Sequence, residues 1–485
     1  MRRRRPTPRT PFGAPAAGLP HPAHPAASPE RRPSRLSRLS GLVSAAAVAA
    51  TVLAASVLTG APPSSGEGRD GAASDGDRTT RAARTAEGPG RHARPWVHTW
   101  AAMPQLTEPH NMPPAPFTQD GLVLDDTTLR QTVRVTAGGG TLRLRFSNAF
   151  GGTALPVTAA SVALPADGRA GVAAIRPGTS RTLTFGGRPS AVVPAGAQVV
   201  SDPVNLRVAP GSNLTVTVYL AQGQASNEIT SHPGSRTTSH LLRGNHLEAA
   251  DLPGATPTDH WYFLSGVEVR PDRPTTAVAV VGDSLTDGRG STTNGNDRWP
   301  DQWFDRLRSR RGASQAAVLN QAAGGNRVLH DGLGPNLLAR LDRDVLAHTG
   351  VESLIVFEGV NDLGTAEATE AAQQQVVDDL IAAYDQIVTR AHAQGIEVYG
   401  ATLTPFGGNG MYDDPAGHRE RARQAVNEWI RTSGRFDGVV DFDRAVRDPG
   451  APERLRPDAH DGDWLHLNPK GYGLLAAAVP DRVAR

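Results

Sequence analysis

From residue 277 to the C-terminus the apolar positions follow two alternating rhythms. Near-continuous apolar runs, rich in β-branched residues, fall at 277–281, 317–319, 353–357, 397–403 and 439–442. Between them, apolar side chains recur every three or four residues. The stripes are Trp303, Phe304, Leu307; Leu337, Leu338, Leu341, Val345; Val377, Leu380, Ile381, Tyr384, Val388, Ala391; and Ala422, Val426, Trp429, Ile430. Strands buried on both faces, alternating with amphipathic helices, predict an α/β fold with a parallel sheet covered by helices. A last helix is predicted with Asn468 as N-cap and Pro469 at its first position, burying Tyr472, Leu475 and Val479.

Upstream the rhythm changes. Across 95–270 the runs are short and alternate apolar with polar residues, as in 141–146 (TLRLRF) and 214–220 (LTVTVYL), with shorter versions at 206–208 and 266–269. Gly, Pro and Asn separate them, which predicts an antiparallel β-sandwich domain. Its aromatics (Trp96, Trp100, Phe146, Phe150, Phe185, Tyr219, Trp261 to Phe263) lie in or beside the strand runs, so they are expected in the core rather than on a sugar-binding face. Residues 271–274 (PDRP) form a short, stiff link to the C-terminal domain at 275–485.

The N-terminal 94 residues belong to neither pattern. A polar, Arg-rich stretch precedes an uncharged Ala/Val/Leu run at 41–59 and small residues near 59–61, which reads as a signal peptide over 1–61 with a signal anchor as the alternative. Export, to a secreted or surface-anchored location, is the expectation. Residues 62–94 are Gly, Ser, Asp, Glu and Arg with almost no large apolar side chain, the composition of a disordered linker. Charge then looks different from what the basic total implies. Residues 1–61 hold nine arginines and one acid, and without them 41 basic residues face 47 acidic ones. That balance gives no basic face for a nucleic-acid partner. The chain has no cysteine, which excludes disulfides, thiolate metal sites and a cysteine nucleophile.

Four short signals carry chemistry. The run 277–281 breaks into Gly282-Asp283-Ser284-Leu285, putting a hydroxyl just past the carboxyl end of a strand, where open α/β sheets bind ligands; an N-cap is the plainer reading of Asp283 and Ser284. After 317–319 comes Asn320-Gln321-Ala322-Ala323-Gly324-Gly325-Asn326, whose paired glycines let backbone N–H groups approach a ligand. After 353–357 comes Gly359-Val360-Asn361-Asp362, with an amide donor. Near the end, Asp463-Trp464-Leu465-His466 places an acid and an imidazole three residues apart. Asp283 and Asp362 read as loop-fixing residues. The 232–236 loop (HPGSR) is a candidate for reaching a neighbouring active site, with no sequence feature that establishes it.

In this order on these elements, GDSL, the glycine after the second strand, GxND and DxxH resemble the SGNH/GDSL hydrolase superfamily, over about 210 residues from Ala277. The resemblance implies a flavodoxin-like three-layer α/β/α fold, a secreted or periplasmic ester-hydrolase repertoire and no metal or organic cofactor. It also puts the nucleophile on Ser284, the acid and base on Asp463 and His466, and the oxyanion donors on the N–H groups of Ser284 and Gly325 and the amide of Asn361, with Gly324 as the alternative glycine. The 95–270 region, with its RLRFSNAFG and HPGSR stretches, resembles the N-terminal part of a subset of secreted members, the arylesterase/acylhydrolase-like ones. The expected substrate is a small-molecule or polysaccharide ester with an acetyl or short acyl group, and no membrane insertion is expected after processing. A lipase or phospholipase-type acylhydrolase is the alternative, although the polar loops 289–297 and 407–414 offer little apolar mouth. A catalytically silent carbohydrate-binding surface protein is the rival from another class.

Overall fold

The computed structural model describes residues 94–309 and 315–484. The expected signal or anchor segment and nearly all of the linker lie outside the described residues, which belong to one compact unit, Ala86–Arg485.

Ala277–Gly282, Ala317–Asn320, Val351–Phe357, Glu397–Ala401 and Gly438–Val440 form one five-stranded sheet in which every pairing is parallel. In sequence order the strands lie 2-1-3-4-5, the flavodoxin-like arrangement, with its switch point between the first and third strands. The alternation in the first strand explains the layering. Val278 and Val280 join a core with Trp299, Trp303, Phe304 and Tyr472, whereas Ala279 and Val281 join one with Leu341, Leu380 and Val426 on the opposite face. Trp299–Ser309 and Pro469–Ala478 cover the first face, and Glu370–His392 and His418–Thr432 the second. Asn468 caps the last helix as expected, its side chain accepting from Gly471 N–H at 3.0 Å.

Two boundaries differ from the sequence reading. The fourth strand stops at Ala401 because the Leu403 N–H donates to Asn427 Oδ1 (2.7 Å) instead of to the sheet. The fifth stops at Val440 because Asp441 caps a short helix, Phe442–Val446, through the Arg444 N–H.

The 95–270 region folds into two larger antiparallel sheets. One runs Val97–Ala101, Leu264–Pro271, Gly139–Ser147, with Gln198–Val200 and Val204–Val208 both against Gly139–Ser147. The other is centred on Leu122–Arg134 and Asn213–Gln224. Leu129, Leu144, Val216 and Val267 share one core between them. Of the aromatics expected inside, Trp100, Phe146, Phe185, Trp261, Tyr262 and Phe263 are buried; Trp96, Phe150 and Tyr219 are half-buried. A third, small sheet of Gln105–Leu106, Thr230–His232 and Trp261–Tyr262 lies at the edge facing the cleft described below.

This core does not end at residue 271. Ala277, Ala317 and Leu319 belong to the same buried cluster. Thr136 Oγ1 also bridges the backbone of Val318, donating to its carbonyl and accepting from its N–H, both at 3.1 Å. A parallel sheet's edge strand presents unpaired backbone groups, and here the β-rich region covers them.

Candidate active site

Gly282 closes the first strand where a Cβ would sit 2.7 Å from the Phe357 carbonyl oxygen, so the chain can turn there only without a side chain. Asp283 then caps the short helix Ser284–Asp287 by accepting from Leu285 N–H at 2.9 Å. Ser284 is its first residue, so its N–H is among the donors a helix start leaves without an intrahelical acceptor. Its Oγ lies 2.9 Å from His466 Nε2, across 182 positions of sequence. Behind the ring, His466 Nδ1 is 2.6 Å from Asp463 Oδ2. The other oxygen of Asp463 accepts from Leu465 N–H (3.0 Å) and His466 N–H (2.8 Å). Trp464, at φ +61°, provides the left-handed residue that so tight a turn needs. Asn409 Nδ2 donates to the Asp463 carbonyl at 2.8 Å and anchors the turn from outside.

Burial lowers the His466 pKa below its ordinary 6.5. The hydrogen bond and charge of Asp463 oppose this, while the charges of Arg289 and Arg236 add to it. For Asp463, burial pushes the pKa up, but the hydrogen bonds from the His466 ring and backbone and from Leu465 N–H outweigh it and hold the carboxyl below its usual value. The result at neutral pH is an ionised carboxylate holding a neutral imidazole, with the proton on Nδ1 and the lone pair of Nε2 toward the serine hydroxyl.

Across the cleft, Gly325 adopts φ +72°, a glycine's conformation. Gly324 N–H donates to Asp287 Oδ2 (3.1 Å), while Gly325 N–H has no acceptor among the described residues. Of the two glycines, Gly325 therefore has the free donor. The Asn361 side chain is fixed at both ends: Nδ2 donates to the Asn326 carbonyl (2.8 Å) and Oδ1 accepts from Tyr412 OH (2.7 Å). That leaves one N–H of the amide for a ligand. Ser284, Gly325, Asn361, Asp463 and His466 all line one open cleft of about 530 Å³. Asp283 and Asp362 lie under it as loop-fixing groups, Asp362 accepting from Val328 N–H (2.9 Å) and Leu329 N–H (3.0 Å). Burial raises the pKa of both.

The HPGSR loop forms the wall beside Ser284. His232 Nδ1 donates to the Met103 carbonyl (3.0 Å) and its Nε2 lies 3.0 Å from Asp287 Oδ1. A Cβ on Gly234 would lie 1.7 Å from Asp287 Oδ2, so only glycine permits this approach. A chain of contacts thus runs from the β-rich region through Asp287 to the glycine loop.

Sequence reasoning named the 232–236 loop as a candidate for reaching the site but missed Asp287, Tyr412 and Asn409 as parts of it. Their partners are remote in sequence, and no spacing signals them. Of the polar loops 289–297 and 407–414, the second contributes Met411, 77% exposed, to the cleft, and Leu333, 47% exposed, lines it from outside them. Single apolar residues among Gly, Asn and Asp do not register as a run. Among the described residues there is no group of three or more His, Cys, Asp or Glu placed to hold a metal ion, and no helix is long and apolar enough to cross a membrane.

Residues 280–474 match the model of the GDSL-like Lipase/Acylhydrolase family. No curated protein matches the chain. Solved structures similar to it include a carbohydrate acetylesterase from Sinorhizobium meliloti (18% identity, 43% of this chain and 98% of that one, TM-score 0.33). A catalytic mutant of an acetylxylan esterase from Geobacillus stearothermophilus (18%, 43% and 94%, 0.34) and a GDSL-like lipase from Bacteroides thetaiotaomicron (16%, 43% and 87%, 0.32) are also similar. At such identities and scores these likenesses carry no argument about activity; the family match over 280–474 does.

Proposed function

We propose, from the premise that this chain is an ester hydrolase with a GDSL-like lipase/acylhydrolase domain of the SGNH superfamily over residues 280–474, that Ser284 is its nucleophile and small acyl esters, acetyl esters foremost, are its substrates. The observation that carries the reading is the 2.9 Å contact between Ser284 Oγ and His466 Nε2, with Asp463 2.6 Å behind the ring. A serine hydroxyl is a weak nucleophile at neutral pH, and His466 is positioned to take its proton as Oγ attacks the ester carbonyl. Asp463 stabilises the imidazolium that forms. Negative charge develops on the carbonyl oxygen, for which the free N–H of Gly325, the N–H of Ser284 and the remaining amide proton of Asn361 are preorganised donors. His466 then returns the proton to the departing alkoxide, and water releases the acyl group by the same route in reverse.

The short acyl preference is supported by the mouth: Leu333 and Met411 are the exposed large apolar side chains that line the cleft, enough for a small acyl group and short of the apolar surface a long chain would cover. Export is part of the proposal and rests on the 41–59 run alone. The test is a fluorophosphonate probe followed by peptide mass spectrometry, together with p-nitrophenyl acetate, butyrate and palmitate. An adduct on Ser284 and falling rates from acetate to palmitate are expected. An unlabelled Ser284 in soluble protein, or preference for palmitate, overturns the corresponding half of the reading.

A further inference from the structure

The lining of the cleft is mixed in chemistry. Its exposed large apolar side chains are Leu333, beside Gly325, and Met411. Toward His466 the cleft is lined by Arg236, from the HPGSR loop, and Arg289, from the loop after the Ser284 helix, and the charges of both act on the imidazole. Arg236 is held at φ +49°, outside the usual range for a residue with a side chain. Its carbonyl accepts from Asn294 N–H (2.9 Å), and Ser235 Oγ next to it donates to the Thr237 carbonyl (2.7 Å), so the loop is built to keep it there. Strain of this kind persists where surrounding contacts enforce it, and it gathers at functional sites.

The pairing of charges in the cleft is lopsided. Its carboxylates are engaged: Asp463 by His466, Asp287 by His232 and Gly324, and Glu108 by Gln105 (2.5 Å) and Asn111 (3.0 Å). The guanidinium groups of Arg236 and Arg289 have no hydrogen-bond or ion-pair partner among the described residues. Arg236 Nε is in addition shielded from solvent with no acceptor. A dry, unpaired donor on a cation is unfavourable unless a ligand supplies the acceptor, and the planar fork of a guanidinium fits a carboxylate best. Because His466 hands its proton to the leaving alkoxide, the groups beside it meet the alcohol portion of the ester and not the acyl group.

We infer that Arg236 and Arg289 form an anion subsite for the leaving alcohol, so that the preferred substrates are short acyl esters of alcohols bearing a carboxylate, as in O-acetylated acidic sugars. This rests on the ester-hydrolase reading with Ser284 as nucleophile and adds the substrate class to it. It also gives the β-rich region a part in specificity, since Arg236 comes from it.

A matched pair of aryl acetates tests it: 4-acetoxybenzoate against its methyl ester, each kcat/KM divided by that ester's own rate with hydroxide, and acetylated polygalacturonate against acetylated xylan as the polymeric pair. The wild-type protein is expected to favour the carboxylate member of each pair, less so as ionic strength rises. Arg236→Gln and Arg289→Gln should each lower the anionic-to-neutral ratio roughly tenfold or more, and Arg236→Lys should keep part of it. A wild-type ratio of one or below, or a ratio unmoved in both variants, overturns the subsite. Should Arg236→Gln not fold, the ratio in Arg289→Gln, a change at an exposed side chain, decides. If no ester is cleaved and Ser284 takes no fluorophosphonate, the mechanism has failed separately. The subsite is then judged by calorimetry with polygalacturonate oligomers: binding weakened in Arg289→Gln supports it, and no binding, or equal binding, overturns it.

Discussion

Removing the Ser284 hydroxyl or the His466 ring takes away one end of the 2.9 Å contact on which proton transfer depends, so Ser284→Ala and His466→Ala are expected to reduce p-nitrophenyl acetate turnover to background. Asn361→Ala removes one of the three donors proposed for the developing oxyanion and is expected to cost ~10² to 10³ in kcat. Tyr412→Phe leaves that donor in place but holds its amide at one end instead of two, because the 2.7 Å bond to Asn361 Oδ1 is lost and only the bond to the Asn326 carbonyl remains. A loss of roughly tenfold in kcat at nearly constant KM is the expected result. Full activity in Asn361→Ala would remove that residue from the oxyanion site, and full activity in Tyr412→Phe would mean that the bond to Asn326 alone holds the amide. The pH dependence follows from His466: its pKa in the fold lies below 6.5, so the catalytically competent neutral ring persists into mild acid. The acid limb of kcat/KM should therefore fall at an apparent pKa under 6.5, and a limb above that value would contradict the burial of the ring.

Between elements, the decisive connection is the one from the HPGSR loop through Asp287 to Gly324. Asp287 is almost fully buried, 1% exposed, and its two oxygens serve two different loops, Oδ1 facing His232 and Oδ2 accepting from Gly324 N–H. An alanine at this position releases the glycine loop from the Ser284 helix. Asp287→Ala is expected to lower kcat by about tenfold or more through misplacement of the Gly325 donor, while Ser284 still reacts with a fluorophosphonate. His232→Ala leaves the buried carboxylate short of one partner and should move kcat in the same direction. Unchanged kcat in both folded variants would mean the glycine loop holds its shape without them. Helix ends follow simpler rules: Asn468→Ala, at the cap of Pro469–Ala478, should cost about 1 kcal/mol of stability in urea unfolding.

For the molecule as a whole, the β-rich region and the α/β sheet share a buried cluster through Ala277, Ala317 and Leu319, and Thr136 covers the edge at Val318. Residues 275–485 expressed alone would expose that edge and face, so aggregation or a much lower Tm than the full chain is expected. Acid should weaken the same contact. His98 and His348 pack ring to ring, with centroids 4.1 Å apart, where these parts meet. Burial pushes His348 down to about 4 and His98 also far below its ordinary value. Their unfolded rings take up protons first as pH falls through 6.5, so native stability declines from there toward pH 4. A Tm that drops across that window in the wild type, and less in His348→Gln, is the expected outcome of a thermal series.

The strands and helices of the α/β domain were legible in the chain because burial on both faces leaves continuous apolar runs, and helices leave stripes at their own period. The caps were legible where one residue decides them, as at Asn468. Ser284, Asn361, Asp463 and His466 stood out because each sits at a strand end or turn with a short local pattern. What tertiary structure decided were the contacts that join distant parts: which glycine keeps a free N–H, which tyrosine orients Asn361, and how His232 and Arg236 reach the Ser284 helix. No period or spacing encodes these. Each depends on two loops, far apart in sequence, being brought within hydrogen-bond distance by the packing of a shared core.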